Sequence, residues 1–316
     1  MKKHRLLLLL SCLALLASPI LAQDKKMNIV FIPKSSDQDF WTFMRNGVEQ
    51  GISETGNITL TWRGPSYNDD TDSQIKILQA YTRPTVDAII IAPTDRIRLA
   101  EPIHKAAAVG IRMIVVDSAV DGSAHQNFVT TDNVAAGKLA AKRLAGLLNG
   151  KGKVAILRTV AGSASTDDRA DGFIAYIKEN APAIEIVADE YGGGSQGKAL
   201  RGATNLLERK SEIDGIFAVN ESSSDGMLRA LRNAGLAGKI RFVGFDATEF
   251  LIDGLAKNEI DGLVIQNPRQ MGYRALKAAV SAIRSTPEKD KIIFTDTVIV
   301  TSENFRSPEM QKLLVP

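Results

Sequence analysis

Short apolar runs alternate with longer amphipathic stretches along nearly the whole chain after residue 26. The runs lie at 28–32, 58–62, 88–92, 111–116, 153–157, 184–188, 215–219, 240–245 and 262–265. Most are continuously apolar, which is typical of parallel strands covered on both faces. The stretches between them begin at Asp, Ser, Thr or Asn and end near Gly, as helix capping predicts. Strand–helix–strand repetition predicts an α/β protein with doubly wound parallel sheets.

The number of strands predicts two lobes. One strongly twisted sheet of about ten strands would be unusually large, so two sheets are the better solution. We place the seam at 130–133, a second break at 266–268, and a last strand around 295–300 near the lobe boundary. The expected first lobe is 24–130 plus 267–296, and the expected second lobe is 131–266 plus 297–316.

The N-terminus has the organisation of a secretory signal. Basic residues Lys2, Lys3 and Arg5 precede an apolar run at 6–17, which Ser18 and Pro19 interrupt. This order predicts a secretory signal peptide over 1–22 and an exported protein. The alternative is a lipoprotein, because Leu-Leu-Ser-Cys at 9–12 loosely resembles a lipobox.

Composition and charge exclude several classes of function. The chain of 316 residues is 44% hydrophobic and 24% charged, which is typical of a folded soluble protein. Removing the signal lowers the basic residues from 39 to 36, equal to the 36 acidic ones. A neutral chain argues against a nucleic-acid surface and a polybasic membrane anchor. Cys12 is the only cysteine, and His104 and His125 are distant in sequence, so no metal or cofactor site is predicted.

Polar side chains follow most of the predicted strands. In an open parallel sheet, ligands bind beyond the carboxyl ends of the strands, so two lobes with facing strand ends would form a polar cleft. Asp and Asn are also common turn formers and N-caps, and both interpretations stay open for them. The strand-end residues are Lys34, Ser35, Arg63, Asp117, Ser118, Arg158, Asn220, Glu221, Asp246 and Gln266.

Phe40 and Trp41 lie where a polar loop enters a predicted helix. Adjacent helical residues point about 100° apart, so both rings cannot share one core direction. At least one is expected to face the cleft, where its flat face would cover the apolar side of a sugar ring.

Signals for catalysis are weak. The chain has no Gly-x-Ser-x-Gly elbow and no phosphate-binding Gly-Lys-Ser/Thr loop. The glycine-rich stretch 192–194 lacks the acidic residue that a dinucleotide site needs after the next strand, so it is interpreted as a flexible strand–helix connection. Helix capping explains Asp167 and Asp168 better than a catalytic carboxylate pair does. The sequence therefore predicts a binding protein and not an enzyme.

Several stretches together resemble the periplasmic sugar-binding proteins of the ribose-binding type, which serve ABC importers. These stretches are 38–41, 116–118, 131–133, 161–173, Asn220 with 227–231, 243–246 and 266–268. The resemblance implies two lobes joined by a three-strand hinge, closing around one monosaccharide or polyol. It also implies a membrane permease as partner and a monomeric protein. The alternative is a sugar sensor that docks on a histidine kinase or chemoreceptor.

The resemblance also implies roles for individual residues. Phe40 and Trp41 would flank the sugar ring, and Asp117 would accept hydroxyl protons from the first lobe. Asn220, Asp246 and Gln266 would contact the ligand from the second lobe and the hinge. The expected ligand-binding set is Phe40, Trp41, Asp117, Asn220, Asp246, Gln266, Lys34, Gln38, Ser118 and Asp167.

The sequence departs from the family pattern at three places, and the two lost arginines argue against ribose itself. Ser118 and Asp167 stand where ribose-binding proteins carry arginine, and the glycine-rich stretch 192–194 replaces an aromatic residue. A different sugar or polyol is expected, because carboxylates and amides pair well with hydroxyl donors. If other cations replace the lost arginines, an acidic or phosphorylated sugar also becomes an option; the candidates are Lys34, Arg63, Arg158 and Arg169.

Overall fold

The computed structural model describes residues 26–209, 212–286 and 288–314; the predicted signal peptide and Cys12 lie outside this part of the chain. Strands and helices alternate as expected. The elements are β1 (Met27–Ile32), α1 (Asp39–Thr55), β2 (Ile58–Trp62), α2 (Thr71–Tyr81), β3 (Ala88–Ile91), α3 (Ala100–Ala108), β4 (Arg112–Val116), β5 (Asn127–Thr131), α4 (Asn133–Leu147), β6 (Lys151–Arg158), α5 (Ala164–Asn180), β7 (Ala183–Tyr191), α6 (Gln196–Arg209), β8 (Gly215–Ala218), α7 (Glu221–Asn233), β9 (Arg241–Phe245), α8 (Glu249–Ala256), β10 (Gly262–Gln266), α9 (Pro268–Ile283), β11 (Ile292–Thr295), β12 (Thr297–Val300) and α10 (Pro308–Leu314).

The strands form two sheets with the same internal order. The first sheet runs β11-β5-β4-β3-β1-β2, and the second runs β12-β10-β9-β8-β6-β7. All pairs are parallel except β10 with β12. We call the halves built on these sheets the first lobe and the second lobe. The predicted fold class, an α/β protein with two doubly wound lobes, is confirmed.

Each sheet is covered on both faces, and this is why its strands are continuously apolar. Every residue of β3, β8 and β10 is buried. Apolar residues of the first sheet pack into two separate clusters, one on each face, and the second sheet does the same. The helices therefore cover the sheets from both sides, which leaves the strand ends as the place for polar chemistry.

The chain crosses between the lobes at three places. The first crossing lies between β5 and α4, because α4 packs on the second sheet, and the second lies between β10 and α9, because α9 packs on the first sheet. The expected last strand around 295–300 is two strands instead, β11 and β12, which belong to different sheets and meet at Asp296. We propose that these three crossings are the hinge and that the lobes divide there.

Hydrogen bonds connect the crossings to one another. Thr131 donates its hydroxyl to Gln266 Oε1 at 2.8 Å, which joins the first crossing to the second. The Gln270 amide bonds both the backbone and the side chain of Asp296, which joins the second crossing to the third. The crossings therefore form one connected strip beside the cleft.

Two helix pairs pack closely through glycine, one in each lobe. A Cβ on Gly47 of α1 would lie 1.9 Å from the carbonyl oxygen of Arg269 in α9. A Cβ on Gly137 of α4 would lie at the same distance from the carbonyl oxygen of Arg169 in α5. These contacts pack the middle of α1 against the start of α9 in the first lobe, and the start of α4 against α5 in the second.

Within the described ranges, no helix is both long enough and apolar enough to cross a membrane.

Candidate ligand-binding site

The carboxyl ends of the two sheets face each other across a narrow cleft between the lobes. Polar and aromatic side chains from both lobes line it. The lining residues are Lys34, Gln38, Phe40, Trp41, Asn68 and Asp117 from the first lobe, and Thr159, Ser163, Ser165, Thr166, Arg169, Asn220, Asp246 and Gln266 from the second.

Phe40 and Trp41 lie in the first turn of α1, and both line the cleft. Their rings meet edge to face, with centroids 4.9 Å apart and planes at 88°. Both also belong to a core cluster of the first lobe. At least one ring was expected to face the cleft, and both residues line it.

The start of α1 is held across the cleft by Glu221 of the second lobe. Its carboxylate accepts backbone N–H bonds from Asp39 at 3.2 Å and from Phe40 at 2.9 Å. Burial raises the pKa of Glu221 well above its usual value, although these two bonds act in the opposite direction. The acid therefore links the lobes at the helix that carries the aromatic residues.

Lys34 and Asp117 form an ion pair at the strand ends of the first lobe. Lys34 Nζ lies 3.0 Å from Asp117 Oδ2, and both side chains are only 5% exposed. Lys34 also donates to the hydroxyls of Ser163 and Ser165, at 3.1 and 2.9 Å, across the cleft. Burial lowers the pKa of Lys34, while the carboxylate of Asp117 raises it. The three N–H donors of Lys34 thus have three acceptors, and the two charges of the pair compensate each other.

The second lobe presents a hydrogen-bonded group of side chains. Asp246 accepts from the Gln266 side-chain amide at 2.7 Å and from the Glu221 backbone N–H at 3.0 Å. Asn220 caps α7 by accepting from the Ser223 N–H, and it also accepts from the Thr159 hydroxyl. Burial raises the pKa of Asp246, while the charge of nearby Arg169 lowers it.

Arg169 of α5 is a cation buried behind this group, with 2% of the residue exposed. It donates to the Asn133 side chain, the Val219 carbonyl and Gln266 Oε1 at 2.8–3.1 Å. Its guanidinium lies 3.9 Å from the centroid of the Phe245 ring. Burial lowers the pKa of Arg169, and the carboxylates of Asp246 and Asp117 raise it. Three of its five N–H groups are thus bonded, and the residue still borders the cavity.

Eight of the ten expected site residues line this one cavity, and Ser118 and Asp167 do not. The Ser118 hydroxyl instead accepts the backbone N–H of Ser165, which bridges the lobes next to the cavity. Asp167 turns away to accept from the Gly162 N–H and to pair with Arg158. We therefore leave Asp167 out of the proposed ligand contacts.

Among the four candidate replacement cations, Lys34 and Arg169 border the cavity and the other two do not. Arg158 forms ion pairs with Asp167, Asp171 and Asp189 on the other side of its strand end. The cavity therefore contains two cations and two aspartates.

Sequence reasoning missed five lining residues. Thr159 follows β6 directly, so the strand-end rule could have found it. Ser163, Ser165 and Thr166 surround the start of α5, and Asn68 lies in the loop after β2, several residues beyond the strand. Nothing in their local sequence separates them from ordinary loop and capping residues.

Contacts between the lobes close both ends of the cleft. At one end, Asp69 binds Lys198 at 2.6 Å and accepts the Gly194 N–H at 3.3 Å. At the other, the Arg96 N–H donates to the Gly162 carbonyl at 2.9 Å. The structure is therefore in a closed conformation.

A larger groove lies on the surface of the first lobe, between α3 and the loop before β5. It holds about 730 Å³, and it brings together His104 and His125, which are distant in sequence. Its lining is mostly apolar, and burial lowers the pKa of His125 to about 4. No group of three metal-ligating side chains occurs in the described part of the chain. The cleft is therefore the stronger candidate site.

Comparison with known proteins agrees with this assignment. The sequence profile of the periplasmic binding protein domain matches residues 29–287. The D-allose-binding periplasmic protein of Escherichia coli K12 is 31% identical over 260 residues, which cover 80% of this chain and 83% of that protein.

Two crystal structures superpose on most of the chain. The periplasmic component of an ABC-type sugar transport system from Hahella chejuensis has a TM-score of 0.84 and 35% identity, covering 87% of this chain and 99% of that one. An ABC transporter solute-binding protein from Agrobacterium vitis with bound D-fucose has a TM-score of 0.87 and 32% identity, covering 91% and 99%.

Proteins of this family bind a substrate for an importer and are not enzymes, so the prediction of a binding protein is confirmed. The chain belongs to the periplasmic binding proteins, the substrate-binding components of ABC importers, as the resemblance of its motifs predicted.

Proposed function

We propose that the protein binds one neutral monosaccharide or polyol in the cleft and delivers it to the membrane permease of an ABC importer. The observation that carries this proposal is the content of the cavity, which combines two aromatic rings with two cations and two aspartates. Hydroxyl groups both donate and accept hydrogen bonds, so a polyhydroxy ligand suits this mixture. A net negative ligand does not, because Lys34 is already paired with Asp117.

Closure explains how binding becomes a signal for transport. A ligand that contacts both lobes binds the closed form better and shifts the hinge equilibrium toward it. The importer then distinguishes loaded from empty protein by the relative position of the lobes. We also propose that the signal peptide directs export to the periplasm, where the protein works as a monomer without nucleic acid; the formally neutral mature chain supports the last point.

A thermal-shift screen of the purified protein tests the proposal. The panel contains D-allose, D-fucose, D-ribose, D-arabinose and xylitol, with D-gluconate and D-glucose 6-phosphate as charged controls. At a ligand concentration of 100 Kd, binding stabilises the native state by about 2.7 kcal/mol, so the melting temperature should rise by several degrees. Mass spectrometry of the recovered ligand should find it unchanged. A rise with the charged sugars alone, or with none of the panel, would contradict the proposal.

A further inference from the structure

Three buried side-chain atoms in the cleft have no hydrogen-bond partner, and all belong to the first lobe. They are Gln38 Nε2, Trp41 Nε1 and Asn68 Oδ1. Each residue is at least 94% buried in the closed conformation. Buried polar groups are normally hydrogen-bonded, because leaving one unpaired costs its full desolvation. These atoms therefore mark where a ligand supplies the missing bonds.

The loop that carries Asn68 is held by the opposite lobe, as the start of α1 is. Its backbone N–H donates to the Gly194 carbonyl at 3.3 Å. The next residue, Asp69, accepts from the Gly194 N–H and binds Lys198. We call the contact between residues 67–70 and the glycine-rich segment 192–194 the clasp.

The clasp requires glycine at position 194. A Cβ there would lie 2.7 Å from the backbone nitrogen of Asp69, closer than real Cβ contacts come. Two backbones therefore approach each other directly at this point. Because one belongs to each lobe, the clasp exists only when the cleft is closed.

We propose that Asn68 Oδ1 accepts a hydrogen bond from one hydroxyl of the ligand, and that the clasp holds Asn68 in place for this contact on closure. The inference rests on the proposed function and adds a residue that determines which sugar is bound. Asn68 Oδ1 is an acceptor, so it selects a hydroxyl donor, whereas Gln38 Nε2 and Trp41 Nε1 are donors to sugar oxygens. The glycine-rich segment thus has a role in recognition although it has no side chains to contact the ligand.

The first experiment measures coupling between Asn68 and one hydroxyl by titration calorimetry. The probe is D-allose, or the tightest-binding neutral sugar of the panel, with its set of monodeoxyfluoro analogues, whose fluorine cannot donate a hydrogen bond. Asn68→Ala should weaken binding of the parent sugar about tenfold. One analogue should bind the wild type about tenfold more weakly than the parent sugar, yet lose no more than about twofold in the variant.

The matched control is Asn205→Ala, which removes an exposed residue of the same type on α6 and should leave affinity unchanged. Thermal melting without ligand checks that each variant folds. If every analogue loses affinity by the same factor in the wild type and in Asn68→Ala, Asn68 accepts no hydrogen bond from a ligand hydroxyl. The inference is then wrong.

A second experiment tests the clasp with a pair of glycine variants. Gly194→Ala should weaken binding about tenfold, mainly through faster dissociation, because the added Cβ meets the Asp69 backbone. Gly197→Ala, whose added Cβ would have only one atom, at 4.0 Å, within contact range, should bind as the wild type does. Wild-type affinity in Gly194→Ala would contradict the proposed role of the clasp in binding.

The outcomes separate the two proposals. If no neutral sugar binds the wild type, the proposed function fails and this inference fails with it. If the wild type binds a sugar and neither Asn68→Ala nor Gly194→Ala changes the affinity, this inference alone is overturned.

Discussion

The two walls of the cleft are built differently, although they come from lobes with the same strand order. On the second lobe, the side chains are bonded to one another: Asp246 to Gln266, Gln266 to Arg169, and Asn220 to Thr159. On the first lobe, Gln38 and Trp41 each leave a buried donor without a partner. The second wall is therefore organised before a ligand arrives, and the first is completed by the ligand.

Asp117 and Asp246 show the contrast at equivalent positions. Each follows the fourth strand of its lobe, and each has a left-handed backbone, with φ of 63° and 67°. Each N–H donates to the neighbouring strand, Asp117 to Val129 and Asp246 to Val264. Their partners differ, however. Asp117 pairs with the ammonium of Lys34, whereas Asp246 accepts from the Gln266 amide and the Glu221 backbone N–H.

This difference teaches how a binding protein combines stability with recognition. Polar groups that are already held in place need not reorient when a ligand binds, so binding costs little free energy. They must, however, be fully bonded in the absence of the ligand. Unpaired groups reduce the stability of the closed, empty form, and they increase the affinity for a ligand that bonds them. Changes in the second wall should therefore affect stability and affinity together, while changes in the first wall should affect affinity alone.

The largest effect is expected from Asp246→Ala, which disrupts the organised wall. The variant loses the acceptor for Gln266 and the Glu221 N–H, and it removes a carboxylate close to buried Arg169. We expect sugar affinity to fall at least about a hundredfold and the free energy of unfolding by about 3 kcal/mol. Calorimetric titration and urea unfolding measure both quantities.

Asp246→Asn is the control for this variant, because asparagine tolerates the left-handed backbone and alanine does not. A loss shared by both variants belongs to the missing negative charge, and a loss in alanine alone belongs to the lost hydrogen bonds together with backbone strain. Full stability with lost affinity in both would show that the second wall is not organised in the way described.

An intermediate effect is expected from Gln38→Met in the unpaired wall. Methionine keeps the length of the side chain and removes the donor that has no partner. Affinity should fall about tenfold, while the free energy of unfolding without ligand should stay unchanged or rise slightly, since an unpaired buried amide is lost.

The same titration and urea unfolding apply to this variant. Gln50→Met, on the exposed side of α1, should change neither quantity. A large stability loss in Gln38→Met would place Gln38 among the structural residues and remove the contrast between the walls.

The smallest effect concerns Glu221, which joins the two walls. Burial raises its pKa in the folded protein above the unfolded value of 4.5, so the folded state binds this proton more tightly. The stability that this proton supplies is present near pH 4.5 and is lost as the pH rises through the folded pKa. In Glu221→Gln this pH dependence of the free energy of unfolding should disappear. Its size is roughly 1.4 kcal/mol for each unit by which the folded and unfolded pKa values differ.

The measurement is urea unfolding of wild type and Glu221→Gln between pH 4.5 and 8. The difference between the two proteins isolates Glu221, because the carboxyl groups that face it, those of Asp246 and Asp39, are present in both. The substitution also removes one of the two acceptor oxygens of residue 221. This changes the free energy of unfolding equally at every pH and leaves its pH dependence unaffected. Parallel pH profiles of the two proteins would contradict this prediction.

Most of the site follows from one regularity in the sequence. Lys34, Asp117, Asn220, Asp246 and Gln266 could be found because each stands directly after an apolar run, and the carboxyl ends of parallel strands meet at one edge. Asn68 could not, since it lies well beyond its strand and reaches the cleft only through contacts with the other lobe.

Asp167 shows the opposite limit of sequence reasoning. Its position in the family motif placed it in the site, but Arg158 and the Gly162 N–H hold its carboxylate outside the cavity. A motif fixes where a residue stands on a helix. Whether its side chain then points into the cavity or away from it depends on ion pairs with residues elsewhere in the chain.

The sequence by itself determined the α/β architecture, the two lobes, the strand ends that face the cleft and the family. The family followed from the resemblance of its motifs, whereas the architecture depends on hydrophobic periodicity and capping, which are local and repeat along the chain. Only the tertiary structure decided which polar atoms are bonded and which are left for a ligand. Hydrogen bonds between residues far apart, such as those of Glu221 with the start of α1, depend on distances of a few tenths of an ångström that no local pattern encodes.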